Sequence, residues 1–486
     1  MGILNNLFSR RGRSSQPLPR RGSRNYSGGS QDRLTADWFS SDLSTNDAFL
    51  NRGQTVRNRA RDLERNNPYV RRFLQMVSAN VYGHQGIRLA MDTRDTRSGG
   101  VQAPDVAANR TIEAAWKRWG RAGNCTADGR TSWRETERMI LRRVLVDGEA
   151  LVKLNRGGDG FGLSLQLLDV DLLDDKKKNE PNVNNQNRIV SGVEMDKNDR
   201  PVAYHLVVDK GAEFDRKTER VPAEEMLHVY IPERPGQVRG ISWLASTMWR
   251  QKMLDAWTEA ALVHSRVAAS KLGFLIPSEE TYTGAGQAAE GYTKMSSEPG
   301  SFEELPAGMK VETFDASPGP TTMGEFSKHC LRGIASGLGA SYVTIANDLE
   351  GVSYSSIRQG ELADRDNWRV LQQFAIEHVS EPVMDEWLLM ALTSGEIPLP
   401  LNKIDKWRSY RFEPRGWEWI DPQKEINAAR EAVALRVKSR RKIISDMGGN
   451  VENTFADLAA DQSLAEEMGL INDDPAAADL GTEEDE

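Results

Sequence analysis

Two cysteines in 486 residues, Cys125 and Cys330, exclude a disulfide scaffold and suit a reducing compartment. No run approaches 18 apolar residues, so no membrane-crossing helix is expected. The opening MGILNNLFSRRGR lacks the apolar stretch of a secretory signal, and Asn6 stands where a myristoylation motif needs Ser or Thr. The six histidines (His84, His205, His228, His264, His329, His378) show neither HExxH nor C-x-x-C spacing. Neither metal nor cofactor is therefore expected. A Walker A sequence and a G-x-S-x-G elbow are both missing, which excludes ATP hydrolysis and serine-hydrolase chemistry by those routes. Gly158, Gly160 and Gly162 lead into a strand and not a helix, so they read as a hairpin turn and not a phosphate loop. Asp147 and Glu149 in VDGEA have the spacing of an acid pair on one side of a strand, but a DG turn explains them more simply.

What is present is unevenly placed. Residues 1–33 form a basic arm whose first 31 residues hold six arginines and no acid, among Ser, Gly and Pro. It should be disordered, serving either nucleic acid or an acidic partner, or simply as a solvated tail. Residues 471–486 carry seven acids and no base and should be disordered too. A chain of this length needs two or more sub-domains. Residues 34–240 read as α+β: helices to about residue 80, a strand over 81–91, a helix over 109–120, and a helix capped by Ser132 with Glu135 as a capping box. Short alternating strands follow, in ALVKL, LSLQLL, RIVSGVEM, VAYHLVV and MLHVYI.

From 241 to 272 run 32 residues with no Gly or Pro. As one helix they would span roughly 48 Å. Leu254, Trp257, Ala261 and Ala268 lie on one face of it. Residues 273–321 are rich in Gly, Ser and Thr, with two short strands expected around Pro306–Gly308. Then come a helix to residue 340, a polar loop over 341–355, and a long helix that Pro382 should kink. Two further helices follow residue 422.

Five ordered segments resemble the lambda-family bacteriophage portal proteins: RARDLERNNPYVRRFLQ (59–75), TADGRTSWRETERMILRRVLVDGEALV (126–152), EMLHVYIPERPGQVRGISWLA (225–245), LRGIASGLGASYVTIANDLEGVSYSSIRQGEL (331–362) and GWEWIDPQKEINAA (416–429). The resemblance implies an α+β portal fold assembled as a ring, typically a dodecamer. Its parts would be a wing (34–240), a stem helix (241–272), a clip (273–321), a second stem helix (322–340), a tunnel loop (341–355), a long kinked helix returning to the wing (356–415) and crown helices (416–470). Asn347, Asp348, Glu350, Ser353 and Tyr354 of the tunnel loop would reach the DNA channel. Leu254, Trp257, Ala261 and Ala268 would pack stems of neighbouring copies.

The implied partners are further copies of the chain, the terminase large subunit, a head-completion or adaptor protein, major capsid and scaffold proteins, and double-stranded DNA in transit. The implied place is the portal vertex of the virion, and the host cytoplasm during assembly, where the ring would also nucleate the procapsid, with no membrane and no enzymatic role. A net charge of −8 counts against a static DNA grip and suits a conduit, since tight binding rests on phosphate neutralisation. The competing expectation is a metal-dependent nucleic-acid-processing enzyme, with the basic arm holding substrate and acids binding Mg²⁺.

Overall fold

The computed structural model describes residues 42–96, 102–158, 160–178, 187–209, 217–269, 273–277, 309–313, 323–351, 353–417, 421–449 and 451–469. The basic arm, the acidic tail and most of 273–321 lie outside them. Every described helix and strand belongs to the unit Thr45–Glu486.

That unit opens with α1 (Thr45–Asn66) and α2 (Pro68–Val81). Asn67 separates them: its side chain accepts from the backbone N–H of Tyr69 and Val70, and Pro68 fills the first turn, where no N–H is needed. Val70, Phe73, Leu74, Val77 and Val81 recur at helical spacing and are all buried. They carry α2 through to Val81, so the expected strand over 81–91 shrinks to β1 (Arg88–Met91). A small hairpin, β2 (Arg94–Thr96) with β3 (Gln102–Pro104), leads to α3 (Val106–Trp119) and α4 (Trp133–Asp147). Both bonds of the Ser132–Glu135 capping box are present.

The five expected segments appear as β4 (Glu149–Arg156), β5 (Leu163–Leu168), β6 (Arg188–Val190) with β7 (Val193–Met195), β8 (Pro201–Asp209) and β10 (Met226–Tyr230), and a further strand that was not expected, β9 (Lys217–Pro222), lies between the last two. They form two antiparallel sheets, ordered β10-β4-β5 and β6-β7-β8-β9. The β4–β5 turn is the glycine-rich segment, with positive φ at Gly157, Gly158, Gly160 and Gly162.

The helix expected over 241–272 is shorter. Trp243–Ser246 forms a 3-10 turn capped by the Ser242 hydroxyl, and α5 covers only Met248–Ala269, about 33 Å at 1.5 Å per residue. The cause is tertiary. A Cβ at Gly240 would lie 2.0 Å from the Gly148 carbonyl oxygen, and one at Gly148 would lie 2.6 Å from the Ile241 carbonyl carbon. Two backbones touch there, and the chain must turn before a helix can start. Next, β11 (Gly273–Pro277) pairs antiparallel with β12 (Met309–Thr313). The second strand expected before Pro306 lies outside the described residues.

After α6 (Met323–Leu338), the loop expected over 341–355 is partly helical: α7 is Tyr342–Ala346, and α8 starts at Tyr354 and runs to Ala375. The irregularity expected at Pro382 sits one turn earlier, as a π-turn over Ile376–Ser380, with Pro382 inside the first turn of α9 (Glu381–Thr393). Proline cannot donate back along the helix, and the widened turn before it absorbs the mismatch. A short α10 (Ile404–Trp407) precedes β13 (Tyr410–Glu413), which pairs with β1 and closes the C-terminal part onto the N-terminal part.

The core gathers Trp116, Trp119, Trp133 and Trp387, with ring centroids 4.8–6.1 Å apart, so α3, α4 and α9 share one interior. Last come α11 (Pro422–Ala434), α12 (Arg440–Asp446) and α13 (Val451–Glu467). α11 and α12 bury no residue.

Candidate functional site

The loop between α6 and α8 is anchored at its root and thinly held at its tip. Gly339 leaves α6 with φ +73°. Ser341 caps α7, and the buried carboxylate of Asp364 on α8 accepts from the Ser341 N–H (2.8 Å), the Ser341 hydroxyl (2.8 Å) and the Thr344 hydroxyl (2.6 Å). Asn347, left-handed at φ +53°, ends α7, as Asn tolerates that conformation better than most residues. Asp348 Oδ1 then accepts from the Glu350 N–H at 3.0 Å, Gly351 turns at φ +68°, and Ser353 caps α8. Of the five expected loop residues, Asn347, Asp348 and Glu350 thus lie in the exposed turn, and Ser353 and Tyr354 belong to the start of α8. The side chain of Tyr354 lies outside the described residues.

The tip is tied back by two groups. Tyr342 donates its hydroxyl to Asp348 Oδ2 at 2.7 Å, and Lys328 Nζ on α6 sits 3.3 Å from Asp348 and 3.7 Å from Glu350. The bond from Tyr342, with help from the Glu350 N–H and Lys328, keeps the Asp348 carboxyl below its ordinary range. Partial burial and that same bond push the Tyr342 hydroxyl up to about 12. Arg332, one turn beyond Lys328, holds its guanidinium 5.6 Å from the centre of the Tyr342 ring.

On α5 the expected packing residues turn toward the subunit's own body. Leu254 is buried in the main core, Trp257 packs on Phe326 of α6 with centroids 4.9 Å apart, and Ala261 is half-buried. Ala268 lies in α5, with its side chain outside the described residues. Roughly a third of a turn round the helix, Trp249, Met253, Ala256, Ala260 and Val263 make a second apolar stripe that is exposed among the described residues. Trp249 is 76% exposed, Val263 56% and Met253 52%. The α5 sequence is apolar on both faces, so periodicity could not say which one the subunit itself buries. His264 and His329 are exposed on α5 and α6.

Asp147 and Glu149 turned out to organise a buried charge cluster. The positive φ of Gly148 (+94°) supports the DG turn. Glu149, fully buried, accepts from Arg239 (2.6 and 2.9 Å), Arg57 (3.2 Å), His228 (2.9 Å) and the Gly240 N–H (3.1 Å). Burial opposes its charge, yet Arg239 and His228 hold it far below the usual carboxylate range. Arg239 also donates to the Ser191 carbonyl (2.8 Å) and stacks over Phe49 at 4.7 Å. Asp147 pairs with Arg61 (2.7 Å) and Arg143 (3.4 Å), and Asp171 with both Arg57 and Arg61 (2.6 Å each).

This cluster ties α1, α4, β4, β10 and the β6–β7 turn to the segment entering α5. Its acids are already engaged by arginine, and Glu149 is walled off from solvent, so the pair has the geometry of a joint and not of a catalytic dyad. A cleft of about 400 Å³ beside it, bounded by Arg61, Glu64, Arg65, Arg143, Asp147 and Asp169, has the same paired character. Among the described residues, no group of three His, Cys, Asp or Glu side chains is placed to hold a metal ion.

A contrasting carboxyl sits on α4. Glu137 is fully buried, accepts only from the Ile87 N–H (3.3 Å), and leaves its Oε2 without a partner. Burial lifts it to about 8 against the weaker pull of that N–H, Arg138 and Arg134.

Residues 31–372 match the family described as phage portal protein, lambda family, and the chain belongs to it. The family is one of structural portal proteins, and the fold of this chain is α+β. The chain is 31% identical over 430 residues to the probable portal protein of Halomonas phage phiHAP-1, covering 86% of this chain and 82% of that protein. It is 23% identical over 441 residues to portal protein B of Escherichia phage lambda, covering 82% and 81%. Among solved structures it resembles a chain in the neck of an empty gene transfer agent particle (14% identity, TM-score 0.44, 84% of this chain and 94% of that one). It also resembles an HK97-family phage portal protein from Corynebacterium diphtheriae (13%, TM-score 0.33, 74% and 95%).

Proposed function

We propose that this chain forms a closed ring, twelvefold as is typical of the family, at the portal vertex of a tailed-phage capsid. Double-stranded DNA enters the head and later leaves through its centre. The terminase large subunit docks on the rim formed by residues 273–321 during packaging, and a head-completion or adaptor protein docks there afterwards. Major capsid and scaffold proteins meet the ring during procapsid nucleation in the host cytoplasm. Asn347, Asp348, Glu350, Ser353 and Tyr354 lie along the channel, where polar groups meet phosphate and its water shell without reading sequence.

The observation that carries the ring is the open stripe of α5. An indole 76% exposed above Met253 and Val263 is an apolar surface that a subunit in isolation leaves in water. A neighbouring copy covers it, and the small side chains of Ala256 and Ala260 let the second helix come close. Of the four residues, Ala261 borders this seam, while Leu254 and Trp257 hold α5 to its own subunit.

Negative-stain microscopy of the purified chain tests this reading. Wild type should give rings with a central hole. Trp249→Glu with Met253→Glu should give single subunits with unchanged helical circular dichroism. Rings in the double variant would remove the seam from this face, and a compact monomer or dimer in wild type would remove the ring.

A further inference from the structure

Lys328 and Arg332 stand one turn apart on the same face of α6, so their charges act on one spot. In a protein that passes DNA, such a pair would be the natural contact for a phosphate. Here it is covered. Lys328 is engaged by both acids of the loop, at 3.3 Å to Asp348 and 3.7 Å to Glu350, and Arg332 lies against the Tyr342 ring whose hydroxyl holds Asp348.

We propose that Lys328, with Arg332 beside it, is a binding site for the backbone phosphate of duplex DNA, and that Asp348 and Glu350 act as a removable mask over it. The proposal rests on the reading that this loop lies along the channel. A phosphodiester oxygen takes the place of the Asp348 carboxylate at Lys328 Nζ, and the loop is released to swing about its two left-handed residues, Asn347 and Gly351.

The energetics suit an exchange. Lys328 is about two-fifths exposed and the Glu350 side chain 87% exposed, so the pairing is solvent-screened and weak. A bare lysine in every subunit would hold DNA by counterion release and resist its movement. A masked lysine offers each phosphate only the difference between two similar contacts. The coupling is reciprocal: by whatever factor loop closure weakens DNA binding, DNA binding weakens loop closure.

The test uses the full-length chain with two readouts. Hydrogen exchange of the amides at 347–351 reads the mask. Lys328→Ala and Tyr342→Phe should each raise exchange there by about two- to fivefold, the size of a contact worth a few tenths of a kcal/mol to 1 kcal/mol. Unchanged exchange in both variants would overturn the mask, whether the chain is in rings or single subunits. Binding of a fluorescent duplex at low salt reads the phosphate site. Asp348→Asn with Glu350→Gln should tighten binding about three- to tenfold and steepen its salt dependence. Adding Lys328→Ala should cancel that gain. A gain that survives Lys328→Ala would overturn Lys328 as the phosphate contact. Altered exchange with no change in DNA binding in any variant would overturn the phosphate site and the channel placement of the loop, leaving the ring reading intact. Loss of rings in wild type would overturn the ring reading and leave the exchange result to decide the mask.

Discussion

Glu149 and Asp348 are both carboxylates that answer to a cation, at opposite extremes of the molecule's mechanics. Glu149 has no exposed surface and takes hydrogen bonds from two arginines, a histidine and a backbone amide. Asp348 sits in a surface turn and is tied by one tyrosine and one lysine. In the buried cluster, removing a partner strands a charge that water cannot reach, and that cost makes the geometry nearly irreversible. At the loop, water replaces any partner that leaves, and the geometry is open to competition. The same two chemical groups therefore make a joint in one place and a latch in the other. What differs is the burial around them.

The largest expected effect comes from breaking the joint. Glu149→Gln leaves Arg239 buried with no opposing charge and Arg57 with Asp171 alone, and should cost about 3–5 kcal/mol, seen as a clear fall in the thermal unfolding midpoint. A midpoint close to wild type would place Glu149 with the exposed acids and dissolve the contrast.

Glu137 sharpens the comparison, because it is as buried as Glu149 but has no arginine bonded to it. Its folded-state value, about 8, lies above the ordinary 4.5. Its contribution is therefore whole below about pH 4.5, declines as pH rises through the interval, and is spent above about pH 8. Wild type should lose stability across that window relative to Glu137→Gln, by at most about 1.4 kcal/mol per pH unit. Parallel unfolding midpoints for the two proteins between pH 5 and pH 8 would mean that Glu137 is not held neutral. The smallest effect is expected between the two extremes, at the root of the loop. Asp364→Asn weakens the bonds to Ser341 and Thr344 and should cost about 1–2 kcal/mol, read as faster hydrogen exchange over 341–346 with α8 unaffected.

Much of the fold was legible because it is written locally. The Ser132 capping box, the glycine turn between β4 and β5, and the five short strands each depend on residues a few positions apart. The joint was not legible for the opposite reason. Arg57, His228 and Arg239 stand 92, 79 and 90 positions from Glu149, and no short-range pattern links them. The late start of α5 has a similar origin. Nothing between 241 and 247 breaks a helix, but the contact of Gly240 with Gly148 does. In the loop, Asn347, Gly351 and the serine caps were readable as turn formers, while the reach of Lys328 from α6 was not. On α5 the spacing marked the face of Leu254, Trp257 and Ala261, of which Leu254 lies in the subunit's own core, and the exposed stripe through Trp249 was not read from it.

α11 and α12 have no interior: none of their residues is buried, and Leu435 and Val437 beside them are about three-quarters exposed. Helices of 13 and 7 residues are marginal on their own in water. If another surface completes them, the free energy of folding this stretch would depend on concentration, as for any element completed by association. A subunit that has not found its place would present these helices frayed to cellular proteases, and a placed subunit would not. Persistence of this stretch would then report incorporation, so orphan copies would be cleared without any dedicated recognition signal.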